Sequence, residues 1–542
     1  MENIKRIPLF FLLMALMSNL LPADILALSD KKFIDSSLIN TNVVAGVVNA
    51  RAFGTPGQAA LVAAIADIGN KKKVLLVSPD TVDTPAIWPI DKDLTIPANI
   101  ILKPDPGVIL SRTGGARLTI NGPVTAGMYQ WINDTSVNHD WVAFGPGAVK
   151  EVCPEWWGAK GDSITPHQDI FINAALTAAN PTNTSSSGGP EVKLFGKGYL
   201  VNNNILVPNS VTLSGAGDGN STVLIANTNM PFLLRPKSIA GDQEYFKVKD
   251  LTINGNGKTF SAAVVDCQSI YNNSFIQDIV IWNYLGAPGL RFGPGTGGDG
   301  CGAVYVKNVW VLAGASGTPG IHVISKYGTR EMPVEGITFD HVMVENCGTA
   351  PAVYIESTQT GYVRSLWFRG LFTRGCTGYA LEIKGLYQSN ISGAQISSGG
   401  KGIYIHPSAT APSFGNVFSN LYNIAGTSVM IDDQTMGYQS GGNVVHYAQP
   451  YPGAANRISV MSDSETAVIT GLRSDFSNSG SISHDGYGSF RASRKLYATS
   501  GIGVGNSVAN TRTPNGATIR ALPLYDDAGT LLGYVPIYSS QW

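Results

Sequence analysis

The chain has 542 residues, of which 44% are hydrophobic and only 14% are charged, with 62 glycines and 30 prolines. Its net charge of −1 and its pI of about 6.7 argue against a partner recognised through its phosphates, so we expect no nucleic-acid partner. Abundant glycine without a collagen period is typical of an all-β protein with many tight turns.

Residues 1–27 have the pattern of a secretory signal peptide. Lys5 and Arg6 precede an apolar stretch at 7–21, and small residues such as Ala27 offer cleavage points. The apolar stretch is short for a membrane span, although an uncleaved anchor is the alternative. We therefore expect a secreted, periplasmic or cell-surface protein with no membrane span after cleavage.

Residues 28–150 predict a β-rich segment with one helix that partly duplicates the segment following it. Thr55-Pro56-Gly57-Gln58 opens a helical stretch to about Ile68, and Thr165-Pro166-His167-Gln168 opens another to about Ala179. Both have the pattern of a capping box with proline at the first helical position, at an offset of about 110 residues. A short helix ahead of a repeat domain is a natural cap for the exposed end of its core.

Within residues 151–450 a short strand recurs at intervals of roughly 22 to 32 residues, which predicts a solenoid. Its first and third positions are always apolar, whereas its second and fourth are often polar, so the first and third should face the core. The copies are Ala263-Val264-Val265-Asp266, Leu290-Arg291-Phe292-Gly293, Ile321-His322-Val323-Ile324, Val353-Tyr354-Ile355-Glu356, Leu381-Glu382-Ile383-Lys384, Ile403-Tyr404-Ile405-His406 and Val429-Met430-Ile431-Asp432.

A second strand precedes most of these copies and contains a column of residues that tolerate a left-handed backbone. The column consists of Asp250, Asp278, Asn308, His341, Gly370 and Asn420. We interpret it as a corner between two sheets of stacked coils.

The run Glu155-Trp156-Trp157-Gly158-Ala159-Lys160-Gly161-Asp162, with the helix after it, resembles the start of pectate-lyase-superfamily β-helix proteins. That group includes rhamnogalacturonase-like and epimerase-like proteins and phage tailspikes. The resemblance covers about 150 to 435 and implies a right-handed parallel β-helix with a short N-terminal capping helix. Ser163 and the segment 166–168 depart from the usual glycine and acidic pair of this motif. Residues 451–542 resemble a small terminal β module found on such proteins.

The chain lacks the signature set of the polygalacturonase-like members, so no catalytic residue can be transferred from them. Geometry instead suggests two outward rows of side chains on adjacent strands. One row would hold Glu356, Lys384, His406 and Asp432, and the other His322, Tyr354, Glu382 and Tyr404.

Glu356 and Glu382 would lie diagonally across adjacent strands, at roughly 7 to 8 Å. This separation suits an inverting glycoside hydrolase, whose carboxyls stand about 6.5 to 9.5 Å apart. Lys384 would keep Glu356 ionised as the base, which leaves Glu382 as the acid, and His406 completes the predicted catalytic set. The predicted sugar-contacting residues are His322, Tyr354, Tyr404, Asp432 and Arg291.

The same residues also allow other interpretations. Acids, lysines and tyrosines alternate on any solvated face, so the rows could be ordinary surface pairs. A polysaccharide lyase would draw on Arg291, Arg369, Arg374 and His322 and could recruit Ca²⁺; apart from that we identify no cofactor. We thus predict a polysaccharide-binding protein that degrades its partner as a hydrolase or lyase, or alternatively a non-catalytic adhesion, envelope or structural β-helix. The sequence does not decide whether the protein forms a homotrimer or whether Cys347 and Cys376 form a disulfide bond.

Overall fold

A computed structural model describes most of the chain between residues 46 and 538. The described ranges are 46–79, 85–134, 140–184, 189–217, 221–297, 300–313, 317–358, 360–397, 401–406, 411, 413–423, 429–433, 443–449, 457–460, 468–470, 481–484, 518–525 and 531–538. The predicted signal peptide, residues 1–27, lies outside them. Helices α1 (Gln58–Ile68) and α2 (Gln168–Ala179) are accompanied by short 3₁₀ turns at Ala50–Phe53 and Pro154–Trp157.

The segment before residue 150 forms coils of parallel strands, which we call the N-terminal coils. Three small sheets stack their strands in parallel, and α1 buries Leu61 and Ile68 beside them. The sheets comprise Val47–Asn49, Lys73–Val77 and Ile100–Pro104; Ala86–Ile90, Val108–Arg112 and Ile132–Asn133; and Leu94–Ile96, Leu118–Ile120 and Val142–Phe144.

The main body is built from two large parallel sheets that alternate along the chain. The long-strand sheet contains Glu151–Val152, Glu191–Lys193, Gly198–Val201, Thr212–Ser214, Val223–Ala226, Lys247–Thr259, Ser274–Leu285, Cys301–Leu312, Val334–Gly348, Val363–Arg364, Trp367–Cys376, Asn390–Ser392, Gln395–Ser397, Val417–Asn423, Val444–Gln449 and Val468–Thr470. The short-strand sheet contains Ile205–Val207, Leu234–Pro236, Val265–Gln268, Leu290–Gly293, Ile321–Ile324, Val353–Glu356, Tyr379–Lys384, Lys401–Ile405, Val429–Asp433, Arg457–Val460 and Ser481–His484.

Along the chain, one to three strands of the long-strand sheet precede each strand of the short-strand sheet, and every pairing within the two sheets is parallel. Parallel crossover connections are almost always right-handed. The chain is therefore a right-handed parallel β-helix, as the sequence predicted. Two small two-stranded sheets lie outside the large ones. They are Gln243–Glu244 with Ile270–Tyr271, and the hairpin Lys326–Tyr327 with Arg330–Glu331.

The core consists of side chains stacked between successive coils. Ile355, Ile383 and Ile405 lie in register on neighbouring strands, and each is at most 1% exposed. Because no coil buries this surface alone, stacking supplies the hydrophobic stabilisation. The inward and outward alternation predicted from the sequence is confirmed.

The predicted corner is also confirmed, because all six residues of the column have a left-handed backbone with φ between 49° and 81°. A second corner, not predicted, runs parallel to it five residues earlier in the chain. It consists of Asn273, Ala303, Gly336, Ser365, Gln388 and Gly415, whose φ lies between 47° and 70°. The two corners enclose a narrow strip of the long-strand sheet.

The predicted register was wrong at two copies of the short strand. Val265 rather than Ala263 pairs with Leu290, and Ile431 rather than Val429 pairs with Ile403. A shift of two residues keeps every side chain on its face, so the alternation alone could not distinguish the two registers.

The predicted capping boxes are wrong, because both helices begin at the glutamine. His167 precedes α2 with a left-handed backbone and therefore cannot continue it. Each glutamine instead ties its helix to a neighbouring loop: Gln58 Oε1 accepts the Asp91 N–H at 3.0 Å, and Gln168 Oε1 accepts the Lys160 N–H at 2.8 Å.

Both large sheets continue beyond residue 450, to Thr470 and His484, so the predicted boundary at 450 falls within them. The chain divides into residues 1–486 and a second unit, 487–542, which contains an antiparallel pair, Thr518–Tyr525 with Leu531–Tyr538.

No helix among the described residues is both long and apolar enough to span a bilayer. All five cysteines are buried free thiols, so Cys347 and Cys376 are not bonded.

Candidate functional site

The outer face of the short-strand sheet carries a continuous row of polar and aromatic residues in strict register. Each member is the second residue of its strand's core pattern, so it points away from the aliphatic core. The row runs Asp266, Arg291, His322, Tyr354, Glu382, Tyr404 and Asp432. Asp432 therefore follows Tyr404 and not His406, which corrects its predicted row; its side chain lies outside the described part.

Glu356 lies two residues beyond Tyr354 on the same face, with one basic side chain bonded to it and a second nearby. Lys384, its register partner on the next strand, donates a hydrogen bond from Nζ to Glu356 Oε1 at 3.0 Å. His322 Nε2 lies 3.8 Å from the other oxygen, Oε2, too far for a direct hydrogen bond. The neighbouring His322, and then Lys384, lower the pKa of Glu356 to about 2, so this carboxylate is ionised at neutral pH.

The second carboxylate, Glu382, has a different partner. His406 directly follows the strand Lys401–Ile405, and its Nε2 lies 2.7 Å from Glu382 Oε1. The sequence placed His406 in the row of Glu356 and Lys384, but its ring reaches back to the other row. This contact was missed because His406 lies just past the strand end, where the alternation no longer fixes the side chain's direction.

The predicted diagonal between the two carboxylates is present in the register. Tyr354 pairs with Glu382, and Glu356 pairs with Lys384, so Glu356 and Glu382 lie on adjacent strands two positions apart. Both side chains are partly exposed, at 24% and 21%. We call His322, Tyr354, Glu356, Glu382, Lys384, Tyr404 and His406 the flank cluster.

The tyrosines of the flank cluster pack against other rings. Tyr354 stacks on His322 with ring centroids 5.0 Å apart, and Tyr404 stacks on Tyr379 at 4.8 Å. Burial raises the pKa of Tyr354 to about 12, with Glu356 and Glu382 adding to it, so its hydroxyl stays protonated. One face of each ring is therefore covered by its stacking partner.

Arg291 is engaged within the row. Its Nε and one terminal nitrogen donate to the two oxygens of Asp266 at 2.8 and 2.9 Å, and the Asp266 side chain is only 1% exposed. The guanidinium predicted to contact substrate thus neutralises a buried carboxylate. It can offer only its remaining donors to a ligand.

The Ca²⁺ considered for a lyase has no evident ligand set in the described part of the chain. No group of three or more His, Cys, Asp or Glu side chains is arranged there to hold a metal ion. The flank cluster itself combines its two carboxylates with cationic or imidazole partners. Such partners compete with a divalent cation for the oxygens.

The fold and this row define the chain as a parallel β-helix protein with a carboxylate pair on one flank. No protein-family model and no curated protein match it. Among solved structures it is similar to ORF18 of Geobacillus virus E2, at 16% identity and a TM-score of 0.35, covering 56% of this chain and 62% of that one.

The chain is also similar to the A-module of mannuronan C-5 epimerase AlgE4 from Azotobacter vinelandii, at 15% identity and a TM-score of 0.38. That match covers 63% of this chain and 100% of the other. A third is PfbA, a surface adhesin of Streptococcus pneumoniae, at 12% identity and a TM-score of 0.35, covering 63% and 92%. The fold and site described above rest on the chain's own strand pairing and contacts.

Proposed function

We propose that this protein binds a polysaccharide along the short-strand sheet and hydrolyses it at the flank cluster. The observation that carries the proposal is the diagonal pair Glu356 and Glu382 on adjacent strands, each with its own basic partner. The register sets a spacing of roughly 7 to 8 Å between diagonal positions. A water molecule and a glycosidic bond fit between carboxyls at about this spacing in inverting hydrolases.

The two carboxylates are suited to different roles. Glu356, with its pKa lowered to about 2, is a permanent acceptor that takes a proton from the attacking water. The water oxygen then bonds to the anomeric carbon as the glycosidic C–O bond breaks. The leaving oxygen receives the proton held between Glu382 and His406, whose contact of 2.7 Å lets either group carry it.

His322 adds an unused polar atom to this arrangement. Its Nε2 is buried and makes no hydrogen bond to any described residue, although it lies 3.8 Å from Glu356 Oε2. A buried imidazole nitrogen without a partner is costly unless a ligand or water satisfies it. A substrate hydroxyl or the attacking water entering beside Glu356 would provide that partner.

Non-catalytic glycan binding is the second candidate. Lys384–Glu356 and His406–Glu382 are each self-contained pairs, as on ordinary protein surfaces, and Lys384 is 41% exposed. A lyase is less well supported, because Arg291 is already bound to Asp266 and cannot freely neutralise a uronate. The charged rows are compatible with an adhesion or envelope role if no cleavage occurs.

The test is incubation of the purified protein with a panel of acidic and neutral polysaccharides. Hydrolysis predicts new reducing ends without unsaturated products, and an inverted anomeric configuration by NMR. Glu356→Gln should lower the rate by about 10² or more, whereas Asp140→Asn, which removes a more exposed carboxylate in the N-terminal coils, should not. Binding without any cleavage across the panel would refute hydrolysis and favour the second candidate.

We also propose a location and an oligomeric state for this protein. The pattern of residues 1–27 supports export, so a secreted, periplasmic or cell-surface protein is proposed. A homotrimer is the assembly to test first by sedimentation. Cell fractionation, with mass spectrometry of the mature N-terminus, tests the export proposal.

A further inference from the structure

The second corner of the long-strand sheet forms the floor of a trench. Ala303, Gly336 and Ser365 occupy this corner on successive coils, and all three have a left-handed backbone. At Gly336 an added Cβ would lie 3.3 Å from the Ala303 nitrogen, and φ is +70°, so glycine keeps the floor low. Two depressions of about 410 and 490 Å³ lie along the trench, and both include Ala303 and Gly336.

Exposed aromatic side chains stand along the trench. Tyr305 and Trp367 point outward two residues beyond the corner, and each is 37% exposed. Tyr305 pairs with Thr338, which in turn pairs with Trp367, so the two rings are two coils apart, at about 10 Å. Tyrosine and tryptophan each combine an apolar ring with a polar group, so both residue types are enriched at binding interfaces.

The polar lining is rich in neutral hydrogen-bonding groups. Asn273 and Gln388 bring exposed amides to the corner, and Thr338 adds a hydroxyl. The charged residues lining the two depressions are Glu335 and Arg364, which pair with each other. The trench therefore carries no net charge, which disfavours a strongly charged ligand.

The repeat of the trench matches that of an extended sugar chain. Successive coils are about 4.8 Å apart, similar to the length of one pyranose unit, so each coil can offer one set of contacts per sugar. Aromatic rings contact the apolar face of a pyranose, whereas amides and hydroxyls bond its ring hydroxyls. A groove of this composition suits a neutral glycan better than a peptide, since its floor follows the coil axis and exposes no strand edge.

We propose that this trench is a second glycan-binding site, which holds a neutral polysaccharide strand along the coil axis. It lies on the long-strand sheet, whereas the flank cluster lies on the short-strand sheet. The proposal does not depend on cleavage at the flank cluster. The trench would hold the polysaccharide on the protein surface without catalysing a reaction.

The test measures binding of hydroxyethyl cellulose, dextran and galactomannan by affinity electrophoresis and calorimetry. Trp367→Ala and Tyr305→Ala should each weaken binding about tenfold, and circular dichroism should stay unchanged. Trp310→Ala is the matched control, because Trp310 is 38% exposed on the same sheet but lies outside the trench, and it should bind as wild type does.

Three results would overturn the proposal. The first is a wild-type protein that binds none of these three polysaccharides. The second is binding that Trp367→Ala and Tyr305→Ala leave unchanged. The third is an oligomer that Trp367→Ala dissociates into protomers without glycan affinity, because a second copy of the chain would then occupy the trench.

Discussion

Replacing Glu356 by glutamine should lower the free energy of unfolding at neutral pH but not in acid. The pKa of Glu356 falls from an ordinary 4.5 to about 2 because of His322 and Lys384. That difference corresponds to roughly 3 kcal/mol, which the partial exposure of the pair reduces to about 2 kcal/mol. Since the folded-state pKa is lowered, this stabilisation is fully present above about pH 4.5 and is lost as the pH falls through about 2.

The assay is urea denaturation of wild type and Glu356→Gln between pH 2 and pH 7. The difference in free energy of unfolding should be about 2 kcal/mol at pH 6 and should approach zero near pH 2. Glu335→Gln is the matched control, because its pair with Arg364 is more exposed and should contribute less than about 1 kcal/mol. A Glu356→Gln difference that stays constant over this range would refute the reasoning.

Three further predictions concern buried groups of the solenoid. Asp266→Ala should destabilise the protein by roughly 3 kcal/mol in urea denaturation because it leaves Arg291 without its partner, and adding Arg291→Met should recover part of the loss. Ile383→Ala should cost roughly 2 to 4 kcal/mol in the same assay, since the side chain is fully buried between two coils. Cys347 and Cys376 should stay unreactive to a thiol reagent in the folded protein and react after unfolding in guanidinium; rapid native labelling would contradict their burial.

The sequence was sufficient to predict the stacked coils and one corner. Asp278 and Asn308 belong to residue types that often adopt a left-handed backbone, so their column could be found. The second corner was missed because Ala303 and Gln388 give no such signal. Their conformation is imposed by the coils above and below, which is tertiary information.

The flank cluster could be predicted only in part for a similar reason. Alternation fixes which side chains point outward, so Glu356, Lys384 and Glu382 were placed on one face. It does not fix the direction of a side chain beyond the end of a strand, and so the contact of His406 with Glu382 was not found. The alternation also does not show that Asp266 binds Arg291. The predicted register was shifted by two residues at this strand, so the two side chains were not expected to be neighbours.

The most direct test of a single reaction centre on this flank is a double-mutant comparison of cleavage rates. Glu356→Gln and Glu382→Gln are measured alone and together on whichever polysaccharide the wild type cleaves. If the two carboxylates act on one bond, each single loss should be about 10² or more, and the double variant should be little worse than the poorer single one. Single variants that cleave at the wild-type rate would contradict the account.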